Sequence, residues 1–171
     1  MSTHKVLLLM GSSSDCDSLM PAVEIFDEFG VSVKVQVASA HRTPERVVEL
    51  IREAENGETQ VILAAAGMAA HLAGVVSAHT LLPVIGIPME SPHLSGLDSL
   101  YSTVMMPPGI PVATVGIGKP GAKNAAYLAL AILALKNPEL KSRLHAFRKA
   151  MPSSVAEMNE SVQRKLEARH K

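Results

Sequence analysis

Tryptophan is absent from the sequence, and phenylalanine and tyrosine bring the aromatic content to only 3%. A flavin, or a row of bases stacked on protein rings, needs flat platforms that are scarce here, so binding by ring stacking is disfavoured. Cysteine is nearly missing too. Cys16 is the single one, which excludes an intrachain disulfide framework and a cysteine-rich zinc site, and fits a reducing cytosol. Neither sign of charge is in excess. Lysine and arginine number 16, and so do aspartate and glutamate. No global field therefore draws the chain toward nucleic acid or an anionic membrane, and any bound anion must be met by local groups. Apolar runs are short, none reaching the roughly 20 residues of a spanning helix. The opening "MSTHKVLLLMGSS" carries a run shorter than a signal-peptide core and turns at once into glycine and serine, so it reads as a first strand. A soluble, cytoplasmic protein is expected.

What is present is a regular alternation. Short β-branched or leucine-rich runs at 5–10, 31–37, 60–66, 81–87 and 110–117 read as strands, and amphipathic patterns at 15–29, 43–56, about 68–79, 94–105 and 120–136 read as helices. In the second helix Val47, Leu50, Ile51 and Ala54 follow the spacing of one buried face. Thr43 is its expected N-cap, Pro44 its first residue, and "NG" at 56–57 its end. Strands that are almost continuously apolar, alternating with helices, imply a parallel sheet covered on both faces: a three-layer αβα sandwich. One domain spanning 1–171 is expected, with a core at 5–136 and a charged helical tail at 137–171 broken at "NPEL" and "MPSS". Pro21 would clash inside a regular first helix, which must then begin after Ser14 or kink. Helix 120–136 is apolar nearly all round, which suits either a deeply central helix or a subunit interface.

In open α/β sheets ligands bind beyond the carboxyl ends of the strands. Three strand-to-helix turns carry chemistry. "MGSSSDCDS" offers Gly11 for close backbone approach and Ser12, Ser13 and Ser14 for either an anion or simple helix capping, while Asp15 suits sugar hydroxyls better than phosphate. It lacks a P-loop lysine and the glycine spacing of a dinucleotide site. "ASAHRTP" places Arg42, a guanidinium fork for phosphate, beside His41, a group able to give and take a proton near neutrality; the bland alternative is a loop filler and a surface ion pair. "AAAGMAAHLAG" is small and nearly uncharged, so Gly67, Met68, Ala69, Ala70 and Leu72 can line a tight pocket, with His71 either facing it or bonded to backbone. The remaining histidines, His4, His79, His93, His145 and His170, have no partner at metal-ligand spacing.

The segments "GSSSD", "SAHRTP", "AGMAAHLAG", "LSGLDSLYSTVMMPPGIPVAT" and "GAKNAAYLA" follow the order and spacing of the N5-carboxyaminoimidazole ribonucleotide mutase family of purine biosynthesis, a resemblance covering about residues 5–135. It implies a flavodoxin-like fold with strand order 2-1-3-4-5, a homo-octamer with sites between subunits, and migration of a carboxyl group from the exocyclic nitrogen to C4 of an aminoimidazole ring with no metal or cofactor. Carried over by position, Ser14, Ser39 and Arg42 would take the phosphate with Ser12 close by, and Asp15 the ribose. His41 would be the general acid/base. Ala40, Gly67, Met68, Ala69, His71 and Leu72 would also bind substrate, the loop containing His71 closing over the imidazole and the migrating carboxylate. A sister class that uses CO2 directly carries lysine after the histidine and a polar third loop, so Arg42 and Ala69-Ala70-His71 favour the mutase. The sequence departs from the pattern at Met68, where glycine is common, at Ala73, where proline is, at Cys16, where an aromatic is frequent, and at Pro92 and His93, the latter read as structural or exposed. A rival class, a non-catalytic phosphate-binding module on this fold, would be a receiver or a flavin carrier. The chain lacks the aspartate a receiver needs after the third strand and the rings a flavin carrier needs.

Overall fold

The computed structural model describes residues 3–169; His170 lies outside them. They fall into two compact units that divide between Leu133 and Ala134. In the first, five strands alternate with five helices: β1 (Val6–Met10), α1 (Cys16–Glu28), β2 (Val33–Val37), α2 (Pro44–Glu55), β3 (Val61–Ala66), α3 (Leu72–Ala78), β4 (Val84–Pro88), α4 (Leu97–Val104), β5 (Ala113–Thr114) and α5 (Gly118–Leu133). The sheet is parallel with order β2-β1-β3-β4-β5, as the resemblance implies.

Strands β1, β3 and β4 are buried almost throughout, and this is why they read as unbroken apolar runs. Because side chains alternate, Leu7 and Leu9 pack with Val47, Leu50 and Ile51 of α2 and Val76 of α3, while the intervening Leu8 is buried on the other face. Helices α1 and α5 pack against each other, with the rings of Phe29 and Tyr127 meeting edge to face at 6.2 Å. The edge strand β2 carries Lys34 and Gln36 and is only half-buried.

Several boundaries differ from the sequence reading. Helix α3 starts at Leu72, not near 68, because Met68 takes a left-handed conformation (φ 52°) and the N–H groups of Ala70 and His71 bond two residues back instead of entering a helical ladder. Strand β5 shrinks to two residues. Thr43 stands at the N-cap of α2 without capping it: its Oγ1 accepts from the Ser39 N–H (2.9 Å) and donates to the Ser39 carbonyl (3.2 Å), closing the loop ahead of the helix. Helix α1 begins at Cys16, after a single 3-10 turn over Ser13–Asp15, and continues through Pro21. Helix α5 is not central on all sides, since Lys123, Asn124 and Leu128 are exposed.

The second unit is one 31-residue helix, α6 (Pro138–Ala168), capped by the Asn137 side chain accepting from the Leu140 N–H at 3.0 Å. "NPEL", read as a break, is where the helix starts. "MPSS" is not a break: the helix runs through Pro152, losing one backbone donor there. Apolar residues recur along it every 11 positions, Leu140–Met151–Val162 and Leu144–Val155–Leu166, a period that keeps one stripe in line on a nearly straight helix. Among the described residues no helix is long and apolar enough to cross a membrane.

The first turn of α5 comes so close to the chain before it that a Cβ on Gly121 would stand 1.7 Å from the Gly116 carbonyl oxygen. Backbone cannot yield as a side chain can. Gly121→Ala is therefore expected to lower unfolding free energy by about 3 kcal/mol, read as a shift of the urea midpoint. Gly11→Ala, whose Cβ would have 3.8 Å of clearance, should change it little.

Candidate active site

Parallel register brings the strand ends level: Met10 pairs with Val37 on one side and Ala65 on the other, and Ala66 with Pro88. The turns leaving β1, β2, β3 and β4 thus meet around one cleft of about 550 Å³. Most residues singled out from the sequence line it: Ser12, Ser14 and Asp15; Ser39, Ala40, His41 and Arg42; Gly67, Met68, Ala69, His71 and Leu72. Ser13, which is exposed, and Ala70, which is buried in the core, do not. A larger groove of about 730 Å³ lies among Glu55, His79, Leu81, Pro83 and Ile110, at the opposite, amino end of β4. It has no arginine or lysine, and it lies at the wrong end of the strands for a ligand site in this fold class.

The first turn is held to the sheet by the Gly11 N–H donating to the Ala65 carbonyl (3.0 Å). Ser12 Oγ accepts from the Ser14 N–H at 3.3 Å and lies 2.9 Å from Ser14 Oγ, so the hydroxyls cluster at the cleft floor and also cap the 3-10 turn. The two readings of the serines, capping and lining a site, are geometrically compatible. Burial pushes the Asp15 carboxyl above its ordinary value of 3.8, with the Ser14 side chain and Ser12 backbone partly opposing.

In the second turn, the Ser39–Thr43 bonds are joined by the Arg42 N–H donating to Ser39 Oγ (3.3 Å). The Arg42 guanidinium reaches across and donates through Nη2 to the Gly11 carbonyl (3.0 Å). Its bond is to backbone, and among the described residues it makes no salt bridge, so the alternative of a surface ion pair does not hold. A fork of five donors with one used in this way suits an incoming anion.

The third turn supplies small residues and one strained one. Met68 is 64% exposed and sits at positive φ, a conformation glycine takes without steric cost, which fits the glycine that the resemblance leads one to expect there. Gly67 packs on the backbone of Met89 and Glu90. His71 closes the cleft toward His41: His41 Nε2 and His71 Nδ1 are 2.8 Å apart, with the rings nearly perpendicular at 87°. The niche is not dry in the single chain, because Met68, Ala69 and His71 are all exposed.

Sequence reasoning missed the fourth turn. Glu90, Ser91 and Pro92 also line the cleft, and Ser91 Oγ donates to Asp98 Oδ1 (2.8 Å) at the start of α4. The same rule that selects the ends of β1, β2 and β3 applies to β4, so the signal was present. His93 is exposed, as read. Among the described residues no three His, Cys, Asp or Glu side chains gather closely enough to hold a metal ion.

Comparison with known proteins agrees with this arrangement. The family model described as AIR carboxylase matches residues 5–154. The N5-carboxyaminoimidazole ribonucleotide mutase of Pyrococcus abyssi is 54% identical over 147 residues, 86% of this chain and 83% of the relative. That of Escherichia coli strain K12 is 51% identical over 153 residues, 90% of each. A crystal structure of Treponema denticola PurE superposes with a TM-score of 0.81 at 29% identity, covering 91% of this chain and 96% of the other.

The Asp15 environment has a consequence for stability. A carboxyl whose folded pKa is raised binds its proton more tightly when folded, so its contribution is full below the unfolded value near 3.8 and is lost as pH rises through the folded one. Asp15→Asn, which never ionises, should thus be more stable than wild type at pH 7, the gap narrowing as pH falls through the carboxylate range. Urea denaturation of both proteins across pH 3–7 measures it; a gap that widens on acidification would contradict the burial argument.

Proposed function

Since this chain belongs to the AIR carboxylase family, we infer that it is an enzyme of purine biosynthesis, a mutase that converts N5-carboxyaminoimidazole ribonucleotide to 4-carboxy-5-aminoimidazole ribonucleotide. Relatives about half identical over most of the chain bear that mutase name. The observation that carries the mechanism is the meeting, in one cleft, of an imidazole (His41), an arginine with no carboxylate partner (Arg42) and a loop of small residues.

In this reading Arg42, Ser14 and Ser39 bind the substrate phosphate, with Ser12 adjacent, and Asp15 accepts from the ribose hydroxyls. Ala40, Gly67, Met68, Ala69 and Leu72 enclose the aminoimidazole ring. The bond from the exocyclic nitrogen to the carboxyl carbon breaks, releasing CO2 and leaving its electron pair on the ring system. C4 is then nucleophilic like an enamine carbon and attacks CO2. It now bears both hydrogen and carboxylate. His41 removes that proton, restoring aromaticity, and delivers it to the nitrogen. One C–N bond is exchanged for one C–C bond and one proton moves from C4 to nitrogen, so the reaction balances as an isomerisation.

CO2 must be recaptured before it diffuses away, which calls for a closed site. Because the third turn is exposed in the single chain, cover comes from a second copy: the enzyme is a homo-octamer with sites between subunits. Two features support this. The outer face of α4 exposes Leu97, Tyr101 (63%) and Val104, flanked by Met105 (78%), a patch of the kind that marks association surfaces. The α6 stripe likewise leaves Met151, Val155 and Val162 exposed. The enzyme works in the cytoplasm, following the synthase that makes its carbamate substrate.

Paired assays test the reaction: product should form rapidly from the N5-carboxylated nucleotide and far more slowly from aminoimidazole ribonucleotide with bicarbonate, and the reverse preference would make it a direct carboxylase. His41→Asn should lower kcat about 10³-fold with substrate affinity kept, whereas Arg42→Ala should raise KM about 10- to 100-fold with a smaller effect on kcat. Light scattering should give an octamer for the wild type. Tyr101→Glu should shift it to smaller species and lower turnover in parallel; an active monomer would overturn the shared-site arrangement.

A further inference from the structure

We infer that Glu90 recognises the exocyclic amine of the nucleotide, its carboxyl group accepting a hydrogen bond from the nitrogen that gives up the migrating group; the inference rests on the proposed mutase reading. The motif "SGLDSL" at 95–100 holds this residue in place. On either side of Glu90 the chain is buried and bonded. The Met89 N–H donates to the Ala66 carbonyl (2.9 Å), the Met89 carbonyl accepts from Ser99 Oγ (2.6 Å), and Ser91 Oγ donates to Asp98 Oδ1 (2.8 Å). Between these anchors Glu90 is exposed and lines the cleft. Its carboxyl group rests against Gly118, the first residue of α5, where a Cβ would stand 2.9 Å from Oε1 and 3.3 Å from Cδ. Glycine at φ 65° both permits the turn and leaves that seat open. Among the described residues the carboxyl group makes no salt bridge.

Strand order decides which part of the substrate Glu90 meets. Along the edge of the sheet the turns follow β2-β1-β3-β4: Arg42 and Ser39, then the serines and Asp15, then the small residues 67–72, then Glu90. Three strand spacings of about 4.8 Å, roughly 14 Å in all, separate the first of these turns from the last. Glu90 lies next to Gly67, where a Cβ would be 3.7 Å from the Glu90 carbonyl oxygen. A nucleotide with its phosphate at Arg42 and its ribose at Asp15 therefore turns its imidazole edge toward Glu90. The ionised phosphate offers no donor and Asp15 takes the ribose hydroxyls, so the donor left for a carboxyl group is the exocyclic N–H. A negative charge at this point also suits the reaction. While the nitrogen carries the carboxyl group, one N–H remains to bond Glu90, and like charge turns the substrate carboxylate away, toward the niche where C4 recaptures CO2. Once the carboxyl group has left, the nitrogen is an amine and the same bond persists.

Two nucleotides, titrated calorimetrically into wild type and variants, test the contact: the product, 4-carboxy-5-aminoimidazole ribonucleotide, and its analogue with hydrogen in place of the 5-amino group. The ratio of their dissociation constants is read for each protein, so that any general effect of removing a negative charge on an anionic ligand cancels. Wild type should favour the aminated nucleotide about 30-fold, the contribution of one hydrogen bond to a charged acceptor. Glu90→Gln, which keeps an uncharged acceptor, should favour it about fivefold, and Glu90→Ala by no more than about twofold. Ser91→Ala, which loosens the turn and leaves the carboxyl group intact, should give a ratio between those of wild type and Glu90→Ala. A ratio that stays near 30 in Glu90→Ala would put the amine on another residue, and a ratio near one in wild type would remove the contact altogether; either result overturns the inference. Turnover plays no part in the titrations. Wild type with the expected preference, lost in Glu90→Ala, that nevertheless fails to convert the N5-carboxylated nucleotide would refute the mutase reading alone.

Discussion

Parallel pairing in level register is the constraint on which this molecule's chemistry depends. Met10, Val37, Ala65 and, through β3, Pro88 end their strands side by side, so four turns distant in sequence open at one edge of the sheet. A slip of one residue in β1 or β3 would exchange the residues on its two faces, so that Leu7 and Leu9 would no longer meet Val47, Leu50 and Ile51 of α2 and the packing of side-chain shapes would be lost. The energy that fixes the register is therefore hydrophobic and spread over the sheet, while its product is polar and local.

Given that frame, a chain with no net charge assembles the proposed anion-binding locus from few parts. Arg42 is tied to the Gly11 carbonyl, Ser12 and Ser14 are tied to each other, and Thr43 clamps the Ser39 backbone. Each bond is modest, but together they leave a guanidinium and several hydroxyls oriented before any ligand arrives, which reduces the ordering cost of binding. Asp15, partly desolvated beside them, is the one acidic group of that turn inside the cleft.

The same region is under strain and uncovered. A methionine at φ 52° replaces the residue that would sit there freely, and the loop it shapes is exposed. A mutase that releases CO2 cannot leave such a loop facing solvent, and the apolar outer face of α4 lies in the same chain without cover. In the proposed assembly, catalysis and association are one requirement: what shields the gas would be what buries the patch.

Much of this was legible in the amino-acid order. The alternation of apolar strands and amphipathic helices determined a doubly wound sheet, because burial on both faces leaves a continuous apolar run and burial on one leaves a 3.6-residue period. The motifs "GSSSD", "SAHRTP" and "AGMAAHLAG" pointed to the lining of the cleft because strand-to-helix turns are where this architecture binds. Local order failed where long-range contact competes with propensity. It did not reveal that Thr43 closes a loop instead of capping a helix, that α3 waits until Leu72, that α6 runs on through Pro152, or that Glu90 and Ser91 join the site. Nor could it bring the imidazoles of His41 and His71 to within 2.8 Å. They leave different strands, and only the packing of β2, β1 and β3 in that order carries the two turns to the same edge.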